Sequence, residues 1–427
     1  MKKILITTDY YYPRALANGV CVHQVALELI SKGHEVHIVC FNNHKEKKYE
    51  VYEGINVHRL TTRPFVNNVD VGTNKLKLIG KLFDKVNYFM TRLNILLFMP
   101  VYPISSFLSL FQYFNIVDKL HKKVGFDLVV SVYNPIESIL SGMFLKKKYS
   151  NIKFVMYTLD TLTNSTGVRF FSKKYIEKKG WKWEQKVYKS ADKIFNMKSH
   201  ENHYSQDRYN HYKEKMGILD IPLINKQDYK KGNADNNINW VYTGGLNSRT
   251  RNPSYACKLF TLVNRDNKNY LHFYSRGDCE PMLQNYQLKS DYSIQSHGYI
   301  IHEESINIIN NANYLISIGN ENSDMIPSKI FEYMSTGKPI IHFYKNVNDP
   351  CIPYLKEYPL ALAIFENEKE IKNNVMILSE FVNNNSQKEV PFDFIKKIFY
   401  LNTPQYAAEQ LLTVLDDKNQ HQNHLNY

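Results

Sequence analysis

Asp324 and Glu332, with seven residues between them, bracket a Pro-Ser-Lys step in "SDMIPSKIFEYMSTGKPII" (323–341). Pro327 suits the first position of a helix, where a missing N–H loses no bond. Gly337 and then Pro339 suit its end. The spacing predicts a helix over 327–336. Ile330 and Met334 share one face, and Glu332 turns away from them, toward Ser328 and Lys329. The start of such a helix offers unpaired N–H groups and a partial positive charge, a setting for phosphate. A carboxylate one turn further in can accept from two neighbouring hydroxyls, as on a ribose. Read from the residues, the stretch suits a diphosphate at Ser328 and Lys329, a ribose at Glu332 and a sugar beside Asp324. The same spacing also fits a solvated amphipathic helix whose acids are incidental.

A helix of this kind needs a sheet to hold it. "KILITT" (3–8) reads as a buried strand, and Val22, Val25, Ala26, Leu29 and Ile30 then recur at helical spacing before "EVHIVCF" (35–41). That is a βαβ unit, the opening of a parallel sheet. Strands are expected at 55–60, 127–133 and 153–159, with helices near 136–148 and 175–191. A polar stretch, "NKQDYKKGNADNN" (225–237), reads as a linker. The pattern restarts at "INWVYTGGL" (238–246), with a helix near 253–264, a strand at 270–277 and a helix at 303–311. The expectation is an α/β chain of two Rossmann-like halves: residues 1–224, then a linker 225–237, then 238–400. A last helix within 401–427 could pack back on the first half. Two such halves place a ligand cleft at the carboxyl ends of their strands.

The bulk numbers are consistent with this. A chain of 427 residues with 43% hydrophobic content suits two or three ordinary domains and argues against wholesale disorder. A formal charge of +13 suits anionic partners. The basic residues are scattered and no nucleic-acid module is visible, so no nucleic-acid partner is expected. The five cysteines form neither a CxxC pair nor a Cys/His cluster, which points away from a disulfide framework or structural zinc and toward a reducing cytoplasm. The apolar run after the N-terminal lysines is only about five residues, a first strand rather than a signal peptide.

The acidic stretch resembles the signature of GT-B glycosyltransferases of family 4, the group 1 C-terminal domain, with Asp324 where a Glu is usual. "KIFEYMSTGKPII" carries most of the likeness; "NGVCVHQVALELISKGHEVHIV", "FDLVVSVYNP" and "VYTGGL" extend it over most of the chain. The resemblance implies the GT-B fold, two Rossmann-like domains facing each other across a cleft. It implies a retaining transferase that moves a sugar from a nucleoside diphosphate to an acceptor hydroxyl. Carried over, Glu332 binds the donor's ribose and Asp324 contacts the transferred sugar. Ser328 and Lys329 present backbone N–H groups to the diphosphate. Arg249 and Arg251, in "GGLNSRTRNP", are the candidates for the basic pair that neutralises it, Arg251 favoured. Gly19 would let the first domain's backbone approach the same phosphates, or serve as an ordinary βα turn. Asp160, in "YTLDTLTN", is a candidate base or hydroxyl anchor, or a turn Asp. No Asp-x-Asp occurs, so no metal and no cofactor are expected beyond the nucleotide-sugar substrate.

A stripe of Lys77, Lys81, Lys85 and Arg92 faces an apolar one within 76–93, and 93–117 carries no charge. The pattern suits a helix pair packed on the sheet, or an anionic membrane surface. The surface reading fits a glycan or lipid-linked oligosaccharide acceptor in capsule or O-antigen assembly, at the inner face of the membrane. Two other classes share the two-half architecture: a sugar-nucleotide 2-epimerase, and an inactive partner that binds nucleotide sugars.

Overall fold

A computed structural model describes residues 1–42, 46–61, 89, 92–94, 96–163, 171–230, 237–264, 269–321 and 326–416. Asp324, most of the basic stripe at 76–93, and part of the expected linker lie outside the described residues.

Strands that are covered by helices on both faces of a parallel sheet read as near-continuous apolar runs, as Leu128–Tyr133 and Tyr314–Ile318 do, buried at every residue. The first sheet is built from β1 (Lys3–Tyr10), β2 (Glu35–Phe41), β3 (Tyr49–Tyr52), β4 (Ile55–Leu60), β5 (Leu128–Tyr133), β6 (Lys153–Thr158), β7 (Lys193–Asn196) and β8 (Met216–Ile218). Its order is β3-β4-β2-β1-β5-β6-β7-β8, parallel except for the β3–β4 hairpin. Order reverses between β1 and β5, and there Asn18 Nδ2 donates to the Asn134 carbonyl (3.3 Å). Leu5, Val39, Val129, Phe154 and Ile194 are buried in its core.

The second sheet is built from β9 (Ile238–Leu246), β10 (Asn269–Gly277), β11 (Ile294–Ser296), β12 (Tyr314–Ile318), β13 (Ile340–Tyr344) and β14 (Ala361–Phe365). The order β11-β10-β9-β12-β13-β14 is all parallel, and it reverses between β9 and β12. Such a reversal leaves a crevice at the carboxyl ends of the two strands, where ligands of α/β sheets bind. Trp240, Phe260, Phe273 and Tyr314 fill the core below it.

Contacts divide the chain into two units: Met1–Pro222 together with the segment from Pro404, and Leu223–Thr403. The helix Pro404–Asp416 packs on the helix Ala17–Ser31 of the first unit. The uncharged segment after residue 93 is not one continuous element. It ends in the helix Phe107–Val124, capped by Ser106 Oγ, which accepts from Ser109 N–H (3.1 Å), and stopped by Gly125 in the left-handed region. Tyr113, Val117 and Leu120 on that helix enter the core, while Phe107, Leu108 and Phe111 stay exposed.

Candidate nucleotide-sugar site

The helix foreseen over 327–336 spans Lys329–Ser335. Gly337 follows with φ +76°, the left-handed stop that glycine adopts freely. The helix does not bury one stripe and open the other, as the spacing predicts. Ile330, Phe331, Glu332, Tyr333 and Met334 are all buried. The reason lies in the elements packed around it. Tyr333 Oη accepts from Thr243 N–H on β9 (2.8 Å), seating the helix over the reversal between β9 and β12. The helix His302–Asn311 then closes over Glu332.

Glu332 is 4% exposed and paired rather than open. Its Oε2 accepts from Lys329 Nζ (2.7 Å) and from His302 Nε2 (3.1 Å). Lys329 Nζ also donates to Ser305 Oγ (3.0 Å). Burial alone would push this carboxyl up; the Lys329 ammonium and then His302 outweigh it and hold the carboxyl at about 2. Glu332 is therefore a fixed anion. Both of its hydrogen bonds fall on Oε2, so Oε1 keeps its acceptor capacity. At the start of the helix, Ile330 N–H donates to the Pro327 carbonyl (3.0 Å) and Phe331 N–H to the Ser328 carbonyl (3.2 Å). The N–H groups of Ser328 and Lys329 make no bond among the described residues.

Arg251 stands at the same reversal. A tight loop after β9 brings it back: Asn247 and Arg251 exchange backbone bonds (3.1 and 2.8 Å). Its Nε donates to Asn320 Oδ1 (3.1 Å), two residues past the end of β12, and its Nη1 to the Gly245 carbonyl (3.3 Å). Arg249 is exposed at the tip of that loop. The carboxyl ends of β9 to β11 enclose a cavity of about 240 Å³, lined by Leu246, Ser275, Arg276, Gly277, Cys279 and Glu280. That volume suits one planar ring system rather than a whole nucleotide sugar.

The first unit holds the other two candidates. Asp160 lies two residues past the end of β6, half-buried, with no hydrogen-bond partner among the described residues. Burial pushes its carboxyl up to about 6. Its loop is held firmly. Thr163 Oγ1 donates to Glu184 Oε1 (3.2 Å) and lies 2.8 Å from His203 Nε2, and Tyr209 Oη donates to Glu184 Oε2 (2.9 Å). Gly19 sits inside the helix Ala17–Ser31, where a Cβ would fall 2.2 Å from the Tyr10 carbonyl oxygen. Close packing of helix on strand thus accounts for this glycine by itself.

The structure places Glu332, Lys329, Ser328 and Arg251 in the second unit, and Asp160 and Gly19 in the first. His302 and Asn320 were not foreseen. Each touches its partner across 30 and 69 residues of chain, a separation that no local period reports. Among the described residues, His342, Asp349 and Cys351 place metal-type ligand atoms within 4.8 Å of one another.

No protein-family model matches the chain, and no curated protein matches it. Solved structures do. A glycosyltransferase from Rickettsia africae aligns at TM-score 0.61 and 12% identity, over 98% of this chain and 99% of that one. A trehalose-6-phosphate structure from E. coli with bound UDP-2-fluoro glucose aligns at 0.59 and 9%, over 97% and 99%. A putative UDP-N-acetylglucosamine 2-epimerase from Listeria monocytogenes aligns at 0.58 and 10%, over 99% and 98%. At such identities the likeness is one of fold: the chain has the GT-B fold, in line with the resemblance read from its sequence.

Proposed function

We propose that this chain is a nucleotide-sugar-dependent glycosyltransferase of the family 4 type, retaining at the anomeric carbon. The observation that carries the reading is Glu332: a buried carboxylate paired with Lys329 and His302 beside the reversal of a Rossmann-ordered sheet, with both of those bonds on one oxygen. A vicinal diol is a ligand of that shape, and a donor's ribose supplies one. Arg251, with Arg249, would meet the diphosphate, joined by the N–H groups of Ser328 and Lys329. The cavity beside β10 would take the base. Asp324 would touch the sugar. Asp160, poised near neutrality by burial, would take or anchor the acceptor's proton. Arginine pairs with phosphate in two-toothed fashion and matches the charge that a leaving diphosphate gains.

In this reading the cations are supplied by the chain. Chelation with EDTA is expected to leave turnover unchanged; loss of activity that Mg²⁺ or Mn²⁺ restores would contradict it. The acceptor is proposed to be a glycan or lipid-linked oligosaccharide of bacterial surface polysaccharide. Leu96, Leu97, Phe107, Leu108 and Phe111, exposed together in one stretch of the first unit, would rest on an anionic membrane. Among the described residues no helix is long and apolar enough to cross one.

The 2-epimerase reading is kept because such an enzyme is among the structural relatives. A thermal-shift panel of UDP-, GDP- and ADP-sugars identifies the donor, because a bound ligand raises apparent stability by mass action. Incubation of that donor alone then separates the classes. Slow release of nucleoside diphosphate supports the transferase, and inversion at C2 of the sugar without release supports the epimerase.

A further inference from the structure

Beneath the turn that follows β12 lies a row of buried polar groups that the proposed site does not use. His342, on β13, and Asp349, in the loop after it, have fully buried side chains. His342 Nδ1 is 2.9 Å from Ser317 Oγ at the end of β12, and its Nε2 is 3.4 Å from Asp349 Oδ1. Asp349 Oδ1 also accepts from Cys351 N–H (2.8 Å), at the start of the helix Ile352–Glu357. The other oxygen, Oδ2, lies directly under Gly319. A Cβ on Gly319 would fall 2.2 Å from that oxygen and 3.4 Å from His342 Nε2. Only a residue without a side chain lets the turn settle on the acid.

The rest of the turn is held at every step. Gly319 N–H donates to the Phe343 carbonyl (2.8 Å), and Glu321 N–H to the Thr250 carbonyl (2.9 Å). Asn346 Nδ2 donates to the Glu321 carbonyl (3.2 Å). Between these anchors stands buried Asn320, whose Oδ1 takes the Nε–H of Arg251. A guanidinium gains from a phosphate only when its fork is aimed, so the partner that fixes its third face sets the direction of the other two.

We propose that His342 and Asp349 are positioning residues: a buried strut from β13 that fixes the Gly319–Asn320 turn, so that Asn320 aims Arg251 at the donor's diphosphate. The proposal rests on the reading of Arg251 given above. It separates a buried acid that only stabilises from one that acts through a named residue.

A double-mutant cycle on binding decides it. Calorimetric affinities for UDP, GDP and ADP are measured, and the tightest binder is followed. Arg251→Ala is expected to weaken it by about tenfold or more, the worth of a charge-assisted bond. Asp349→Asn keeps the shape and the Cys351 contact; it should weaken binding by roughly three- to tenfold in the wild-type chain and by less than about twofold on top of Arg251→Ala. Additive losses in the two backgrounds would overturn the strut while leaving the donor site standing. No effect of Arg251→Ala would overturn the donor reading of Arg251 and the strut with it. Ser317→Ala, which removes only the Nδ1 contact, runs the same cycle if Asp349→Asn does not fold, with smaller losses and the same non-additivity. Stoichiometric zinc in the purified wild type, lost in Cys351→Ser, would also overturn the strut, since His342 and Asp349 would then serve a metal.

Discussion

Asp160 and Glu332 are both carboxylates withdrawn from water, one in each unit, and their surroundings drive them in opposite directions. Asp160 meets no cation and no donor among the described residues, and burial raises its carboxyl to about 6. Glu332 is the more deeply buried, yet Lys329 and His302 hold it at about 2. Depth of burial therefore does not set the charge state; the partners do. A carboxyl near neutrality can exchange a proton during turnover. One that stays ionised can only accept hydrogen bonds and anchor a cationic neighbour. Under the proposed function, the contrast suits Asp160 to proton handling and Glu332 to ligand anchoring.

The largest effect expected from breaking the contrast comes from Glu332→Ala. It strands Lys329 and His302 without their shared partner, and loss of one member of a buried ion pair costs about 3–5 kcal/mol. Urea unfolding should show a midpoint shifted to match at unchanged slope. An unaltered midpoint would mean that the three groups are solvated and the pairing is not structural.

Asp160→Asn should lower turnover by about a hundredfold, the usual scale of a lost general base, while leaving nucleoside diphosphate affinity as it was. In the wild type the rate should climb as pH rises through about 6, and that climb should be absent in the variant. A variant with normal turnover, or one that keeps the climb, would return Asp160 to a turn residue.

The smallest effect is the pH dependence of stability, in which the two acids have opposite signs. Glu332, held below its ordinary range, contributes stability that is present above about pH 4 and fades as pH falls toward about 2. Asp160, raised, favours the folded state only below about pH 4, and that contribution is lost as pH rises through about 6. Thermal unfolding across pH 3–7 should therefore flatten on the acid side in Glu332→Gln and on the neutral side in Asp160→Asn. The same curve in both variants would contradict opposite environments.

Parallel strands such as "KILITT" and "EVHIVCF" were legible because strands covered on both faces are mostly apolar. The helix carrying Glu332 was legible from its ends: Pro327 before it, Gly337 and Pro339 after it. Short edge pieces were not. Tyr49–Tyr52 reads "YEVY", exposed on alternate residues, with too little length to show a period. The environment of Glu332 was also hidden. The helix alone predicts a position turned away from the apolar face, whereas its burial depends on His302 from a helix 30 residues upstream. Asn320 is hidden in the same way, since nothing in "SIGNEN" marks it as the partner of Arg251. Local rules place the backbone that carries a site. The pairings that set its charges come from tertiary contact.

The central claim is that the free oxygen of Glu332 holds the donor's ribose, and calorimetry on Glu332→Gln tests it most directly. Gln keeps the shape and loses the charge. Charge-assisted bonds contribute roughly 1.5–3 kcal/mol each, so affinity for the cognate nucleoside diphosphate should fall by about ten- to a hundredfold. Wild-type affinity in a folded Glu332→Gln protein would contradict the claim and leave the Lys329–Glu332–His302 cluster as scaffold.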